Sequence, residues 1–392
     1  MSYTIAKFGR RLRLGVIGGG PGSFIGPVHR AAARMDDNYE VVASVLSSDP
    51  ERSKREGMAI GVAEDRAYGT AEELFAGEKA RDDGIDVIAI MTPNDSHYRL
   101  SLMALENGLD IICDKPLTTN LHDARDLVSR VNAAGVVFCQ TFNYSGFPMV
   151  RQAMAMVRDG DLGEVRMLEV EYVQGHNAAL TPTEQGQEGN WHFDPARVGE
   201  SLILGDIGSH AHHLGAFVSG LDLEAVMAEV GATVPGRSSD DYAGLLLRWS
   251  NGARGTMWVT NAAAGGEHGL AFRIFGAKGG LEWHQEHPNR LEHRRLDGFM
   301  EVQTRRLHGA LEPAAEHATR IEIGHPEGYQ EAFATIYRDA ADAILARRTG
   351  QAPNPLALDL PTVLDGVRGM KFIEAAIESS RSGVWADCRP TL

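Results

Sequence analysis

Between Leu12 and Gln140, short apolar runs alternate with longer segments of helical periodicity. The runs are Leu12 to Ile17, Tyr39 to Val45, Asp86 to Met91, Leu109 to Cys113 and Val136 to Gln140. The segments between them include a helix opening after a glycine-rich turn, Pro50 to Ile60, Ser96 to Asn107 and Leu121 to Ala133. Short runs rich in β-branched residues read as buried strands, and amphipathic stretches of ten or more read as helices. Strands that alternate with helices return by right-handed crossovers, which predicts a doubly wound parallel sheet.

In such a sheet ligands bind outside the carboxyl ends of the strands, so the residues after each run are the candidates. The first run ends in GGGPGSFIGPVHRAAARM. Gly18 and Gly20 fit the first two positions of G-x-G-x-x-G, and Gly26 supplies the third after a short insertion. Glycines let the backbone approach a pyrophosphate, and the following helix offers it free amides. On spacing alone an ordinary tight turn reads equally well; the alternation around it points to a dinucleotide. After the second run, Ser47, Ser48 and Arg52 suit the 2'-phosphate of NADP, whereas Asp49 suits the ribose diol of NAD. Ser48 or Asp49 also suits a helix cap before Pro50. NAD and NADP both stay open. The fourth run ends in Asp114, Lys115 and Pro116, which aims a lysine at whatever the sheet binds.

Beyond Gln140 the pattern changes. A helix over Met149 to Arg158 is followed by runs of period two at Val165 to Val173, Tyr242 to Trp249, Ala253 to Thr260, Leu270 to Phe275 and Gly280 to Trp283. Successive strands with few crossover helices predict a large, mostly antiparallel open sheet. One face would be covered by helices and the other left for a partner subunit, so a homo-oligomer, dimer or tetramer, is expected. The long connection from Gln174 to Leu204 offers Asn177, Trp191, His192 and Arg197 as polar or stacking contacts for a sugar, joined by Asn143 and Tyr144 where the two halves meet. It leads into LILGDIGSHAHHLGAFVSG, Leu202 to Gly220, where a helix beginning near Asp206 puts His210 on the same face.

Asp206 and His210 allow three readings at this point: an acid and imidazole pair for proton transfer, a metal site with His213, or an N-cap and a core histidine. His212 and His213 are taken as structural. Leu291 to His325 is polar and yields no assignment. Pro326 to Arg348 and Pro361 to Ser380 read as helices, the second with its proline in the first turn.

Composition bounds the partners. The 392 residues, 43% hydrophobic and 23% charged, suffice for two domains. A net charge of -15 without a long basic run argues against nucleic acid and anionic membranes. Cys113, Cys139 and Cys388 lack CxxC spacing and read as buried thiols of a reducing compartment. No apolar run reaches the ~18 residues of a membrane helix. MSYTIAKFGRR has no hydrophobic signal core, so a cytoplasmic location is expected.

Taken together, GVIGGGPGSFIGPVH (Gly15 to His29), MTPNDSHY (Met91 to Tyr98), DKPLTT (Asp114 to Thr119) and the D-x-G-x-H block at Asp206 to His210 resemble the glucose-fructose oxidoreductase and inositol dehydrogenase family, Gfo/Idh/MocA. Two departures are visible: Asp114 stands where the family usually has Glu, and the insertion precedes Gly26. The resemblance implies an α/β chain with a Rossmann domain over residues 1–142. An α+β domain for substrate and oligomerisation would follow over 143–358, and a C-terminal helix over 359–392 would pack back on the first domain. It assigns the turn at Thr92, Pro93 and Asn94 to the cofactor together with Asp114; His97 either belongs to that block's function or only caps the next helix. Through Ser47 and Arg52 it leans towards NADP. Lys115, Asp206 and His210 become catalytic: His210 takes a hydroxyl proton, Lys115 orients that hydroxyl, and Asp206 holds substrate or fixes the imidazole tautomer. The expected activity is an NAD(P)-dependent dehydrogenase acting on a sugar, sugar derivative or cyclitol, with no metal. A glycosidase working through transient hydride abstraction, a non-catalytic dinucleotide-binding regulator and a metal-dependent hydrolase are the competing readings.

Overall fold

The computed structural model describes residues 3–179, 191–305 and 311–389. Helix α1 (Tyr3–Phe8) leads into β1 (Leu12–Gly18), which with β2 (Tyr39–Val45), β3 (Val87–Met91), β4 (Asp110–Cys113) and β5 (Phe138–Gln140) forms the first sheet. Its order is β2-β1-β3-β4-β5 and every pair is parallel. The intervening helices are α2 (Ile25–Met35), α3 (Pro50–Ala59), α4 (Ala71–Lys79), α5 (His97–Glu106) and α6 (Leu121–Ala134). β3 and β4 are buried along their whole length, which is why both read as unbroken apolar runs. The strand order reverses between β1 and β3, so the turns after these two strands flank the switch point where such sheets bind ligands.

Local chemistry sets the helix ends. Asp49 caps α3 by accepting from the Arg52 amide with Pro50 at the first position, Thr70 and Asn120 cap α4 and α6, and Gly135 ends α6 in the left-handed region. α4 was not expected from the sequence.

The second sheet contains β6 (Val165–Gln174), β7 (Leu223–Gly231), β8 (Tyr242–Trp249), β9 (Arg254–Thr260), β10 (His268–Gly276), β11 (Gly279–His284), β12 (Arg290–Arg295), β13 (Met300–Thr304) and β14 (Ala386–Asp387). Their order is β13-β12-β11-β10-β6-β9-β8-β7-β14, antiparallel except for β6 against β9. Along β6, Leu168, Val170, Tyr172 and Gln174 face the core. The helices of this half are α7 (Pro148–Arg158), α8 (Pro195–Val198), α9 (Ser209–Ser219), α10 (Pro313–Ala318), α11 (Tyr329–Thr349) and α12 (Val363–Ser382). α7, α9 and α12 lie on the inner face of the sheet.

Three sequence expectations need correction. The unassigned stretch Leu291 to His325 contains most of β12, all of β13 and α10. Pro326 lies outside α11, which begins after Gly328. Pro361 also precedes its helix: Thr362 is the cap of α12, and its hydroxyl accepts from the Leu364 amide while Asp365 completes the capping box. Pro361 instead joins the halves, its carbonyl accepting from the Gln140 amide at 3.0 Å. α12 packs on both α6 and β7, and α11 packs on α2. α7 and α11 are pinned by a fully buried ion pair, Arg151 to Asp339 at 2.5 Å, which His317 Nε2 also approaches at 2.7 Å.

Candidate active site

The three glycines of the turn after β1 are required by close packing. A Cβ at Gly18 would stand 2.4 Å from the Met91 carbonyl oxygen, at Gly20 2.2 Å from that of Leu46, and at Gly26 1.9 Å from that of Gly19. Gly18 also has a φ of +83°. The turn is therefore pressed against the ends of β2 and β3 and against the first turn of α2. The extra residues before Gly26 do not displace it from Gly19; they bulge outward at Pro21 to Phe24, with Phe24 exposed. Arg30, which the sequence did not single out, holds the turn by donating to the Gly19 carbonyl at 2.7 Å. α2 starts without a side-chain cap, and the Gly26 amide has a 3.4 Å contact to Ser23 Oγ. Backbone amides at a helix start, beside a turn with no room for side chains, fit a dinucleotide pyrophosphate.

After β2, Ser47 Oγ accepts from the Asp49 amide at 3.1 Å, Ser48 is exposed, and Asp49 is the cap of α3. Arg52 is engaged by Glu56. After β3, Thr92 Oγ1 accepts from Ser96, as does the Pro93 carbonyl. His97 does more than begin α5: its buried ring lies between the carbonyls of Thr92 at 2.9 Å and Pro116 at 2.8 Å, tying this turn to the one after β4. There Asp114 accepts from the Lys115 amide and the Thr141 hydroxyl, both at 2.9 Å.

Lys115 Nζ donates to the carbonyl of Asp206 at 2.6 Å and to its Oδ1 at 2.9 Å. Asp206 does not start a helix. It sits inside a π-helical turn, Leu204–Gly208, that runs into α9, and the helical run begins earlier, at Leu202, where Asp240 accepts from the Leu202 and Ile203 amides. Such wide turns recur at functional sites because they redirect side chains out of the regular register. Solvent reaches 43% of the Asp206 side chain along the cleft, although neighbouring groups surround it closely. Burial opposes its charge, but the Lys115 ammonium, by its field and hydrogen bond, draws the Asp206 carboxyl down to about 2.

His210, the second residue of α9, stands edge-on to Tyr144 at 4.8 Å and Phe142 at 5.8 Å. Burial, followed by the Lys115 charge, holds its imidazole well below the ordinary histidine range, so the ring is neutral near pH 7. Its Nδ1 has no hydrogen-bond partner among the described residues. The hydrogen bond described at the Asp206 carboxylate comes from Lys115, and none to His210 is among the described contacts. His212 and His213 stack on Phe372 and Phe142 as core residues.

The sequence named Asn143 and Tyr144 but missed the rest of the aromatic and amide lining. Tyr172, near the end of β6, shares a hydrogen bond with Tyr144, and Tyr329, the first residue of α11, lies 6.1 Å from the Tyr144 ring. The core-facing side of the second sheet turns polar here. Among the described residues, buried side-chain atoms of Gln174 and Asn261 and both amide atoms of Asn143 have no hydrogen-bond partner. Alternating polarity that continued into a buried face was the available signal.

The connection after β6 is described only in part, since residues 180–190 lie outside the described residues. Trp191 stacks on His192 at 3.8 Å, and His192 lies within the fields of Asp206 and Lys115. Asn177 is anchored by its backbone, its carbonyl accepting from Arg237. Arg197 and Asn94, expected at the substrate and the cofactor, each also meet the opposite half of the protein. Arg197 pairs with Asp95 at 3.5 Å, and Asn94 donates to the Val198 carbonyl at 3.1 Å.

A dinucleotide cradle facing a lysine, a carboxylate and a neutral imidazole is the arrangement of a nicotinamide-dependent oxidoreductase. The chain belongs to the Gfo/Idh/MocA oxidoreductase family. Residues 12–142 match its oxidoreductase family, NAD-binding Rossmann fold model, and residues 150–282 match the GFO/IDH/MocA C-terminal domain. An uncharacterised oxidoreductase, YfiI, of Bacillus subtilis (strain 168) is 31% identical over 96% of both chains. An oxidoreductase structure from Sinorhizobium meliloti shares 42% identity with a TM-score of 0.86, covering 96% of this chain and 99% of that one. An inositol dehydrogenase homolog from Azotobacter vinelandii, complexed with NADH and myo-inositol, shares 34% identity with a TM-score of 0.88, covering 96% of this chain and 98% of that one. Among the described residues no helix is long and apolar enough to cross a membrane, and no group of three or more His, Cys, Asp or Glu side chains is placed to hold a metal ion.

Proposed function

We propose that this protein is an NAD-dependent dehydrogenase that oxidises a secondary hydroxyl of a sugar, sugar derivative or cyclitol. The observation that carries the reading is the pairing of Lys115 with Asp206 beside a neutral, buried His210. The glycine-rich turn at Gly18, Gly20 and Gly26, the strand-end residues Ser47 and Ser48, the turn at Thr92 and Pro93, and Asp114 would hold the cofactor, which supplies a hydride acceptor. His210 takes the hydroxyl proton as the carbinol hydrogen leaves with its electron pair, so a CH–OH group becomes a carbonyl. A neutral imidazole is ready for this without first losing a proton, and such proton transfer contributes roughly 10²–10⁴ in rate. Lys115, fixed by Asp206, donates to the same oxygen and steadies its growing negative charge.

Asn143, Tyr144, Asn177, Trp191 and His192, together with Gln174 and Asn261, are the groups we assign to substrate hydroxyls. Buried amides with unpartnered atoms favour a ligand carrying several hydroxyls, because an apolar ligand would leave them unsatisfied. The relative whose structure holds myo-inositol supports the same class. We also assign a homo-oligomer to the outer face of the second sheet, where Met167, Leu246, Trp258 and Phe275 are exposed. Residues 1–142, 143–358 and 359–392 are our division into cofactor domain, substrate and oligomerisation domain, and tying helix.

The test is reduction of NAD, followed by absorbance, against inositols, aldohexoses, ketoses and anhydrosugars. Turnover with any polyol, abolished in His210→Asn while NADH still binds, supports the reading. Cofactor recycled during glycosidic cleavage would replace it with the glycosidase.

A further inference from the structure

The side of the cradle between the glycine-rich turn and the end of β2 is closed by an ion pair. Arg52, in the first turn of α3, donates from Nε to Glu56 Oε1 at 2.5 Å and reaches the Pro21 carbonyl with Nη2 at 3.5 Å. Glu56 follows one turn later and only 13% of its side chain is exposed. Its second oxygen, Oε2, is buried, has no hydrogen-bond partner among the described residues, and lies 2.9 Å from where a Cβ on Gly20 would be. A negative charge therefore stands against the backbone of the turn itself.

In sheets of this kind an acid at the end of β2 holds the ribose 2'-hydroxyl, whereas a nearby arginine accepts a 2'-phosphate. Here both residues at the usual places are committed. The Asp49 carboxylate caps α3 through the Arg52 amide at 2.7 Å, and the Arg52 guanidinium is already paired. The geometry points to Glu56 as the residue that sets the choice of dinucleotide, in favour of NAD. Its carboxylate neutralises Arg52, which removes the cation a 2'-phosphate would use, and its free oxygen repels that phosphate directly. An uncharged ribose diol meets neither obstacle. Discrimination is a difference of two affinities, and Glu56 weakens one of them alone. The pairing also runs against the lean towards NADP that Ser47 and Arg52 carry in the sequence, because neither side chain can be read without its neighbour.

This inference rests on the oxidoreductase reading above and adds the discriminating residue to it. The test is direct binding, with NADH and NADPH titrated separately into the full-length protein and followed by nicotinamide fluorescence, without turnover. The wild type is expected to bind NADH roughly tenfold or more tightly than NADPH. Glu56→Gln, which keeps the side-chain shape, should narrow that gap about tenfold by tightening NADPH, and the gain should shrink at high salt. Adding Arg52→Ala to Glu56→Gln should restore the gap, since the freed guanidinium is what the phosphate uses. Arg52→Ala in the wild-type background leaves the Glu56 charge uncompensated, so it should weaken NADPH rather than tighten it. Equal binding of both dinucleotides by the wild type, or an unchanged ratio in Glu56→Gln, overturns the role of Glu56. A gain of NADPH affinity in Arg52→Ala alone does the same. Binding of neither dinucleotide overturns the oxidoreductase reading itself.

Discussion

Lys115 and Asp206, 91 residues apart in sequence, are joined twice: the ammonium donates to both the backbone carbonyl and the carboxylate of the aspartate. One bond fixes the π-helical turn and the other fixes the charge, so the strand end of the first sheet and the π-helical turn of the second half act as one unit. Asp206→Asn keeps the carbonyl bond and loses the ionic one. It is expected to lower kcat about 10²-fold, in the range of a lost charge at a reacting centre, while NADH affinity stays within roughly twofold. Full turnover in Asp206→Asn and in Lys115→Ala would remove the pair from the mechanism.

The pH profile should carry the mark of His210. Burial and the Lys115 charge lower its pKa, so the imidazole is deprotonated through the neutral range and protonates in acid. The acid limb of kcat/KM is expected below the ordinary value of about 6.5, with Asp206 ionised throughout because its carboxyl lies at about 2. An acid limb at or above the ordinary histidine value would contradict the neutral imidazole.

Stability should fall in acid for a related reason. His29 and His213 are held at about 4 and His212 at about 3 by burial, below their unfolded value. As pH drops below the unfolded pKa near 6.5 the unfolded chain takes up protons that the folded one refuses, and the loss continues until the folded pKa is reached. Each such histidine costs about 1.4 kcal/mol per pH unit within that window. Urea unfolding at pH 7, 6 and 5 would check this, with a flat stability between pH 6 and pH 5 counting against it.

At Gly26 an added methyl would meet the Gly19 carbonyl oxygen at 1.9 Å. Gly26→Ala should push the turn away from α2, costing about 1–3 kcal/mol of stability and weakening NADH binding more than substrate binding. Calorimetry and NADH titration on one preparation would read both.

The Asp95 to Arg197 pair spans the cleft with both side chains 39% exposed. Such a pair is worth at most about 1 kcal/mol. Arg197→Ala should barely move the unfolding midpoint, yet it should speed NADH release up to about fivefold by loosening the bridge over the cofactor turn. Stopped-flow displacement measures that rate, and an unchanged rate would leave the pair as surface decoration.

Asp339 is buried under the helices that join the halves and neutralises Arg151. Asp339→Ala leaves that guanidinium charged and unmatched, for an expected cost of about 3–5 kcal/mol. A midpoint close to wild type would show that the site relaxes or admits water.

The residues alone determined the first sheet. Apolar runs, helical periodicity, glycines and the Asp49 and Pro50 cap are local signals that agree with one another, and each strand there is buried enough to look like one. β8 to β11 were legible for the same reason. β7, LEAVMAEVG, was missed because its alanines and glutamates favour helix, and its place between β8 and β14 overrides that preference. β12, RLEHRR, and β13 lie towards the sheet edge, where charged residues replace the apolar alternation. Within the site, Lys115, Asp206 and His210 could be named from their blocks, but the partners of each could not. That Lys115 reaches Asp206, that Arg197 turns to Asp95, and that Tyr172 and Tyr329 both meet Tyr144 are contacts between distant segments. Sequence spacing specifies which face of its own element a side chain occupies; only the packing of the two sheets through α11 and α12 decides what that face meets.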